Sequence, residues 1–213
     1  MVRPTKCSVK SIGATYGVIR RQLLAADLQC TTLKECAKAS GLLHQLKVRT
    51  LLDLPCGDFH WLSKIDLPVE HYIGADIVPE LVARTNSLHS RPDRTFLQID
   101  LCNDPLPAAD LLLCRDCFVH LSEDMIDLAI NNILRSNIRY LLTTTFPAGR
   151  NRPIRTGDFF SINLCAPPYN FPPPIKVLDD YVPSYEPHQL ALWEVESLHN
   201  IRRDPPAYAG GPR

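Results

Sequence analysis

Between residues 48 and 146 the apolar residues come in short, nearly unbroken runs, most of them closing on an acid. Runs of this length suit strands buried on both faces. Residues 48–54, 71–76, 94–99, 110–114 and 140–146 are predicted as five strands. The fourth is almost wholly apolar, which places it centrally. Helical patterns lie between them: a short one over 59–65, one over 79–88 opened by Pro79, and one after Ser122. Ser122 caps the last, with Glu123 and Asp124 in its first turn and Ile126, Leu128, Ala129, Ile130, Ile133 and Leu134 facing a sheet.

Ahead of the first strand, residues 16–45 read as two helices, with Thr31 or Thr32 capping the second and Gly41 weakening or ending it. Twelve of the nineteen prolines lie from Pro147 onward, so that region resists long helices. Within it, 175–178 and 190–195 can form an antiparallel pair. The division expected is a helical segment over 1–45 packing on or capping the core, a domain over 46–198, and a tail over 199–213 disordered by composition.

Strands alternating with helices predict a doubly wound α/β sheet. Such sheets bind ligands outside the carboxyl ends of their strands. Three acids fall there: Asp53 near the end of the first strand, Asp76 after the second and Asp100 after the third. Asp76 lies about twenty residues past the turn Pro55-Cys56-Gly57, the spacing of an acid that takes ribose hydroxyls. Gly57 can adopt positive φ or let a ligand approach the backbone. G-x-G-x-x-G is missing, as is a P-loop, and Asp58 adds negative charge where a pyrophosphate needs it least. A cofactor with ribose and adenine but no phosphate fits better, which points to S-adenosylmethionine.

From about Leu51 to Val195 the chain resembles the class I S-adenosylmethionine-dependent methyltransferases. Their first motif, D-x-G-x-G-x-G, corresponds to Asp53-Leu54-Pro55-Cys56-Gly57-Asp58-Phe59, which keeps the acid and the middle glycine and lacks the outer two. Within that superfamily it is similar to a group of small methyltransferase-domain proteins. The supporting strings are residues 55–61, Gly74-Ala75-Asp76-Ile77, residues 114–122, residues 140–146 and Asn170-Phe171-Pro172. The resemblance implies a Rossmann-like, mostly parallel seven-stranded sheet with an antiparallel final strand and helices on both faces. It implies that the backbone at Cys56 and Gly57 approaches the methionine part of the cofactor while Asp53 helps hold its amino group. Asp76 would take the ribose hydroxyls and Ile77 would pack on the adenine. Asp100 would accept from the adenine amino group, with Leu101 beside it, and Arg115 and Asp116 would face the methyl group and its acceptor. Pro55 has no N–H to donate, so contacts shift towards Asp58 and Trp61.

Methyl transfer to a hydroxyl or amine needs a positioned acceptor and a group to take its proton. Asp116 and His120, four residues apart, are the catalytic candidates, as a base with an orienting partner. His120 capping the next helix or filling a loop is the plainer alternative. Ala166-Pro167-Pro168-Tyr169 resembles the Asn/Asp/Ser-Pro-Pro-Tyr string of amino-methyltransferases, but alanine cannot hold an amine and the string follows the fifth strand. A wall of the acceptor pocket is the expectation, with Arg155, Thr156, Gly157, Asp158 and Asn170 lining it.

The bulk numbers narrow the partners. Lys plus Arg and Asp plus Glu both total 23, so no cationic surface calls for long nucleic acids. No apolar run approaches a membrane span. Eight scattered cysteines, several inside strand-like runs, fit a reducing, cytoplasmic setting. Cys114-x-x-Cys117 has no second pair at zinc-site spacing, so no metal is expected. The first 26 residues carry five bases and no acid, as an organelle transit peptide does, yet lack its hydrophobic face and serine enrichment. The expected function is methyl transfer from S-adenosylmethionine to oxygen or nitrogen of a small molecule or sugar. The alternatives are an N-methyltransferase of a nucleobase or protein, and a non-catalytic domain of the same fold.

Overall fold

The computed structural model describes residues 33–180 and 186–201, and side chains from residue 38 onward within that span. Expectations for the first of the two N-terminal helices, the Thr31/Thr32 cap, the basic leader and most of the tail lie outside the described residues.

The chain enters through α1 (Leu33–Gln45). Seven strands follow: β1 (Thr50–Asp53), β2 (His71–Asp76), β3 (Arg94–Gln98), β4 (Ala109–Cys114), β5 (Ile138–Thr145), β6 (Lys176–Asp179) and β7 (Gln189–Glu194). α2 (Pro79–His89) joins β2 to β3, and α3 (Glu123–Leu134) joins β4 to β5. The sheet order is β3-β2-β1-β4-β5-β7-β6. β1 to β5 pair in parallel, and β7 runs antiparallel to both β5 and β6. The doubly wound, seven-stranded, mostly parallel sheet expected from the sequence is therefore present, with β4 at its middle.

Period-two alternation explains how one sheet holds two cores. Leu52, Leu112, Cys114, Leu141 and Trp193 face one side, where Ile126, Ala129, Ile130 and Ile133 of α3 cover them. Leu51, Leu111, Leu113, Leu142 and Leu192 face the other, against Leu42 and Leu43 of α1, Val82 of α2 and Phe59. A one-residue slip in β1 or β4 would exchange these sets, so the register is strongly specified.

Three local expectations need correcting. The helix expected over 59–65 is a single 3-10 turn at Leu62–Lys64, because Phe59 takes φ 60, outside the right-handed helical region. Ser122 sits at the N-cap position of α3, but its side chain makes no capping bond; its N–H donates to Thr156 Oγ1 (3.1 Å), whose hydroxyl donates to Ser122 Oγ (3.0 Å). The Ser122 hydroxyl is thus engaged by Thr156 rather than by the first turn of the helix. Gly41 does not end α1, which runs on to Gln45 and buries Leu42 and Leu43 just beyond it.

Gly41 is exposed, and a Cβ placed on it meets nothing within 4 Å. Gly41→Ala is expected to stabilise the fold by about 0.5–1 kcal/mol, by reducing the freedom of the unfolded chain. For a protein of this size that is a rise of roughly 1–4 °C in Tm. A lower Tm in thermal denaturation would show that α1 needs the glycine.

Candidate active site

The turn after β1 is tied to strands on both sides. Leu54 N–H donates to the carbonyl of Leu113 (2.9 Å) in β4, and Cys56 N–H to that of Ala75 (2.7 Å) in β2. The Leu54–Pro55 peptide is cis. Gly57 has φ 57, the left-handed conformation its sequence position predicted, and its N–H donates to Asp76 Oδ2 (3.3 Å). Asp76 Oδ1 accepts the Val78 N–H (3.0 Å), so one fully buried carboxylate closes both the β1 turn and the β2 turn. Asp58 Oδ1 accepts from His60 N–H (3.1 Å).

Phe59 anchors the turn from below. Its buried ring packs on Tyr72 (4.9 Å between centroids), His89 (5.3 Å) and Phe96 (5.4 Å), with the Arg94 guanidinium 4.5 Å from its centroid. Tyr72 in turn donates its hydroxyl to Asp53 Oδ2 (2.6 Å). Burial pushes the Asp53 carboxyl up to about 7; the Tyr72 hydrogen bond and the Arg115 charge oppose the rise, while Asp76 adds to it. Burial, with Asp53 and Asp76 nearby, also pushes the Cys56 thiol up, which keeps it protonated.

Asp100 caps its own loop. Its carboxylate accepts from Cys102 N–H (2.9 Å) and from the Asn103 side-chain amide (2.8 Å). Leu101 is buried in the core, with its carbonyl taken by Asn132 (2.9 Å), and Ile77 is half-buried. Sheet order β3-β2-β1 therefore lines up Asp100, Asp76 and Asp53 along one edge, as the strand-end rule anticipated.

The other half of that edge is built from β4 to β7. Asp116 has φ 51, a strained conformation for a residue with a Cβ. It is held there by Thr144 of β5, which accepts the Asp116 N–H (2.8 Å) and donates to its Oδ1 (3.0 Å). Arg115 Nε donates to Asp180 Oδ2 (2.9 Å) just past β6. Its Nη1 lies 3.5 Å from Asp116 Oδ2, and its guanidinium is 5.6 Å from the Trp61 ring centroid. His188, which leads into β7, stands 3.6 Å from Asp180 Oδ2 and stacks on Phe146 (5.1 Å, 26°). Asp116, Asp180 and His188 present their polar atoms within 4.8 Å of one another. Such a cluster calls for a cation, and Arg115 supplies it.

His120 and Asp116 each bond to other groups. The carboxylate–imidazole hydrogen bond anticipated from their spacing is not formed. His120 Nδ1 is 3.0 Å from the Asp158 carbonyl, its own carbonyl accepts Gly157 N–H (2.7 Å), and its ring meets Phe159 at 5.7 Å. Burial lowers its pKa, against the raising effects of the Asp158 carbonyl and Asp116. Thr156, Gly157 and Asp158 thus brace Ser122 and His120. Tyr169 is buried in the larger core, and the Asn151 amide donates to the carbonyls of Asn163, Ala166 and Pro167 (2.8, 3.3 and 2.7 Å). Asp180, His188 and Thr144 were missed in the sequence reading. Asp180 carried the same signal as Asp53 and Asp76, an acid closing a short apolar strand.

No family model and no curated protein matches the chain's sequence. Solved structures do match its fold. Magnesium protoporphyrin IX methyltransferase (ChlM) from Synechocystis PCC 6803, with bound SAH, is 13% identical, with 86% of this chain and 98% of that one covered at a TM-score of 0.58. A TehB-like SAM-dependent methyltransferase from Corynebacterium glutamicum is 18% identical over 84% and 97%, at 0.51. The methyltransferase domain of bacterial CtHen1 is 15% identical at 0.46; the match covers 52% of this chain and 64% of that domain's length. The chain has the class I methyltransferase fold.

Asp53 supplies a pH signature. Between its usual 3.8 and about 7, the folded chain keeps a proton that the unfolded chain has lost. Stability from this group therefore falls as pH rises through that window and levels off above it. Asp53→Asn, which cannot ionise, is expected to gain on the wild type in Tm between pH 5 and pH 8. A gap independent of pH would mean that Asp53 titrates normally.

Proposed function

We propose that this chain is a methyltransferase that moves a methyl group from S-adenosylmethionine to oxygen or nitrogen of a small molecule or sugar. Asp76 carries the reading. Its carboxylate stands at the end of β2 and holds the Gly57 turn, where ribose hydroxyls have acceptors to meet. The surrounding donor set fits the same cofactor: Asp53, Asp58, Asp76 and Asp100 suit cationic ammonium and sulfonium centres and an adenine amino group, and repel a phosphate.

In this reading the backbone at Pro55, Cys56 and Gly57, with Asp53, holds the methionine part, and Asp58 and Trp61 flank it. Ile77 and Leu101 pack on the adenine, and Asp100 accepts from its amino group. When bound, the cofactor supplies an electrophilic methyl group. The chain's part is to orient the acceptor, exclude water and receive a proton, with Arg115, Asp116 and His120 on the acceptor side. Among the described residues no helix is long and apolar enough to cross a membrane. The described cysteines that are free thiols are in keeping with the cytoplasmic setting we propose.

Calorimetry with S-adenosylmethionine tests the reading. The wild type should bind, and Asp76→Ala, checked for folding by circular dichroism, should bind about 10- to 100-fold more weakly, as loss of hydrogen bonds to a charged group predicts. Absence of binding by the wild type would sink the proposal. A metabolite panel incubated with labelled S-adenosylmethionine then identifies the acceptor.

A further inference from the structure

The residues expected to act on the acceptor's proton, Asp116 and His120, each have other partners. The half of the carboxyl edge built from β4 to β7 holds a second imidazole with better-defined surroundings. We propose that His188 is the base that takes the acceptor's proton, with Asp180 as the carboxylate that stabilises the resulting imidazolium. The inference rests on the methyl-transfer reading above.

Three observations carry it. The first is the tautomer. His188 Nδ1 is 3.1 Å from the carbonyl oxygen of Glu186, which can only accept, so the neutral ring carries its hydrogen on Nδ1. Nε2 is then the basic nitrogen. The second is the partner. Nε2 stands 3.6 Å from Asp180 Oδ2, longer than a direct hydrogen bond and close enough to stabilise positive charge on the ring. Two acceptors side by side leave room for a donor hydrogen from a third group, which an O–H or N–H acceptor provides.

The third is rigidity. Asp180 N–H donates to the His188 carbonyl (3.3 Å), so the backbones on either side of the β6–β7 connection hold the dyad together. Arg115 fixes the Asp180 carboxylate, and Phe146 fixes the plane of the imidazole. Side-chain exposures of 7% for Asp180 and 9% for His188 keep both from bulk solvent, where their interaction would be screened. Among the described residues, the charged and titratable groups around the ring are Asp180, Asp116 and Arg115; the Glu186 carboxylate is engaged by Ser161.

The step balances. The acceptor's O–H or N–H bond breaks, and its proton passes to Nε2. The acceptor's electron pair forms the new bond to the methyl carbon as the old carbon–sulfur pair returns to sulfur. The imidazolium, stabilised by Asp180, later gives its proton to water.

The test has two arms. Nitrogen-15 histidine spectra of the full chain at pH 9, with His188 assigned by its loss in His188→Gln, should show Nδ1 protonated and Nε2 bare. A ring protonated on Nε2 overturns the proposal with no acceptor in hand. With the acceptor from the labelled panel, His188→Gln should lower kcat at least 100-fold, leave S-adenosylmethionine affinity unchanged, and remove the acid limb of the pH–kcat profile. Persistence of that limb, or its loss in His120→Gln instead, also overturns it. Failure of the wild type to bind S-adenosylmethionine defeats the methyl-transfer reading and is visible separately from the tautomer. Should His188→Gln not fold, through-bond correlations from the backbone assign the His188 ring in the wild type and still decide the tautomer, and Asp180→Asn should shift the acid limb.

Discussion

Buried carboxylates are the constraint on which this site depends. A carboxylate taken from water without partners is strongly destabilising, and Asp53, Asp76 and Asp180 are all buried at or beside the same sheet edge. Each has a different remedy. Asp76 accepts backbone N–H groups from two turns, Asp180 takes the Arg115 guanidinium, and Asp53 accepts from Tyr72 while its carboxyl rises to about 7. These remedies shape the backbone. The Gly57 turn, the course of Arg115 and the place of Tyr72 in β2 are all set by an acid that needs a partner.

The turn after β1 is built with a single glycine, Gly57. Only Gly57 and Phe59 take positive φ between β1 and the following 3-10 turn. Phe59 offsets its strained backbone by burying a whole ring against Tyr72, Phe96 and His89. The hydrophobic contact offsets the cost of a backbone conformation that glycine would adopt freely.

Much of this was legible along the chain because it is local. Continuous apolar strands, Pro79 at a helix start, and acids closing successive strands are signals within a few residues, and β1 to β5 with Asp53, Asp76 and Asp100 followed from them. Gly41 and the 59–65 segment misled because tertiary packing outweighed propensity: Leu42 and Leu43 carry α1 through its glycine, and Phe59 turns inward instead of starting a helix. The Arg115–Asp180 pair spans 65 positions and Ser122–Thr156 spans 34, distances over which no periodicity speaks. His120 and Asp116 were adjacent by spacing, but the loop at Asp158 and the hydroxyl of Thr144 each bid for one of them.

β7 is the one strand that reverses direction, and its place between β5 and β6 has a consequence for assembly. Because it reverses, the connection leaving β6 and entering β7 returns to the edge where the parallel strands end. Asp180 and His188 thereby reach a site whose other residues are already in place by Thr144. During synthesis the row of acids on β1 to β3 is complete early, and Arg115 has no Asp180 until the last hairpin emerges. The last described hairpin thus supplies the carboxylate partner of Arg115 as well as two strands of the sheet.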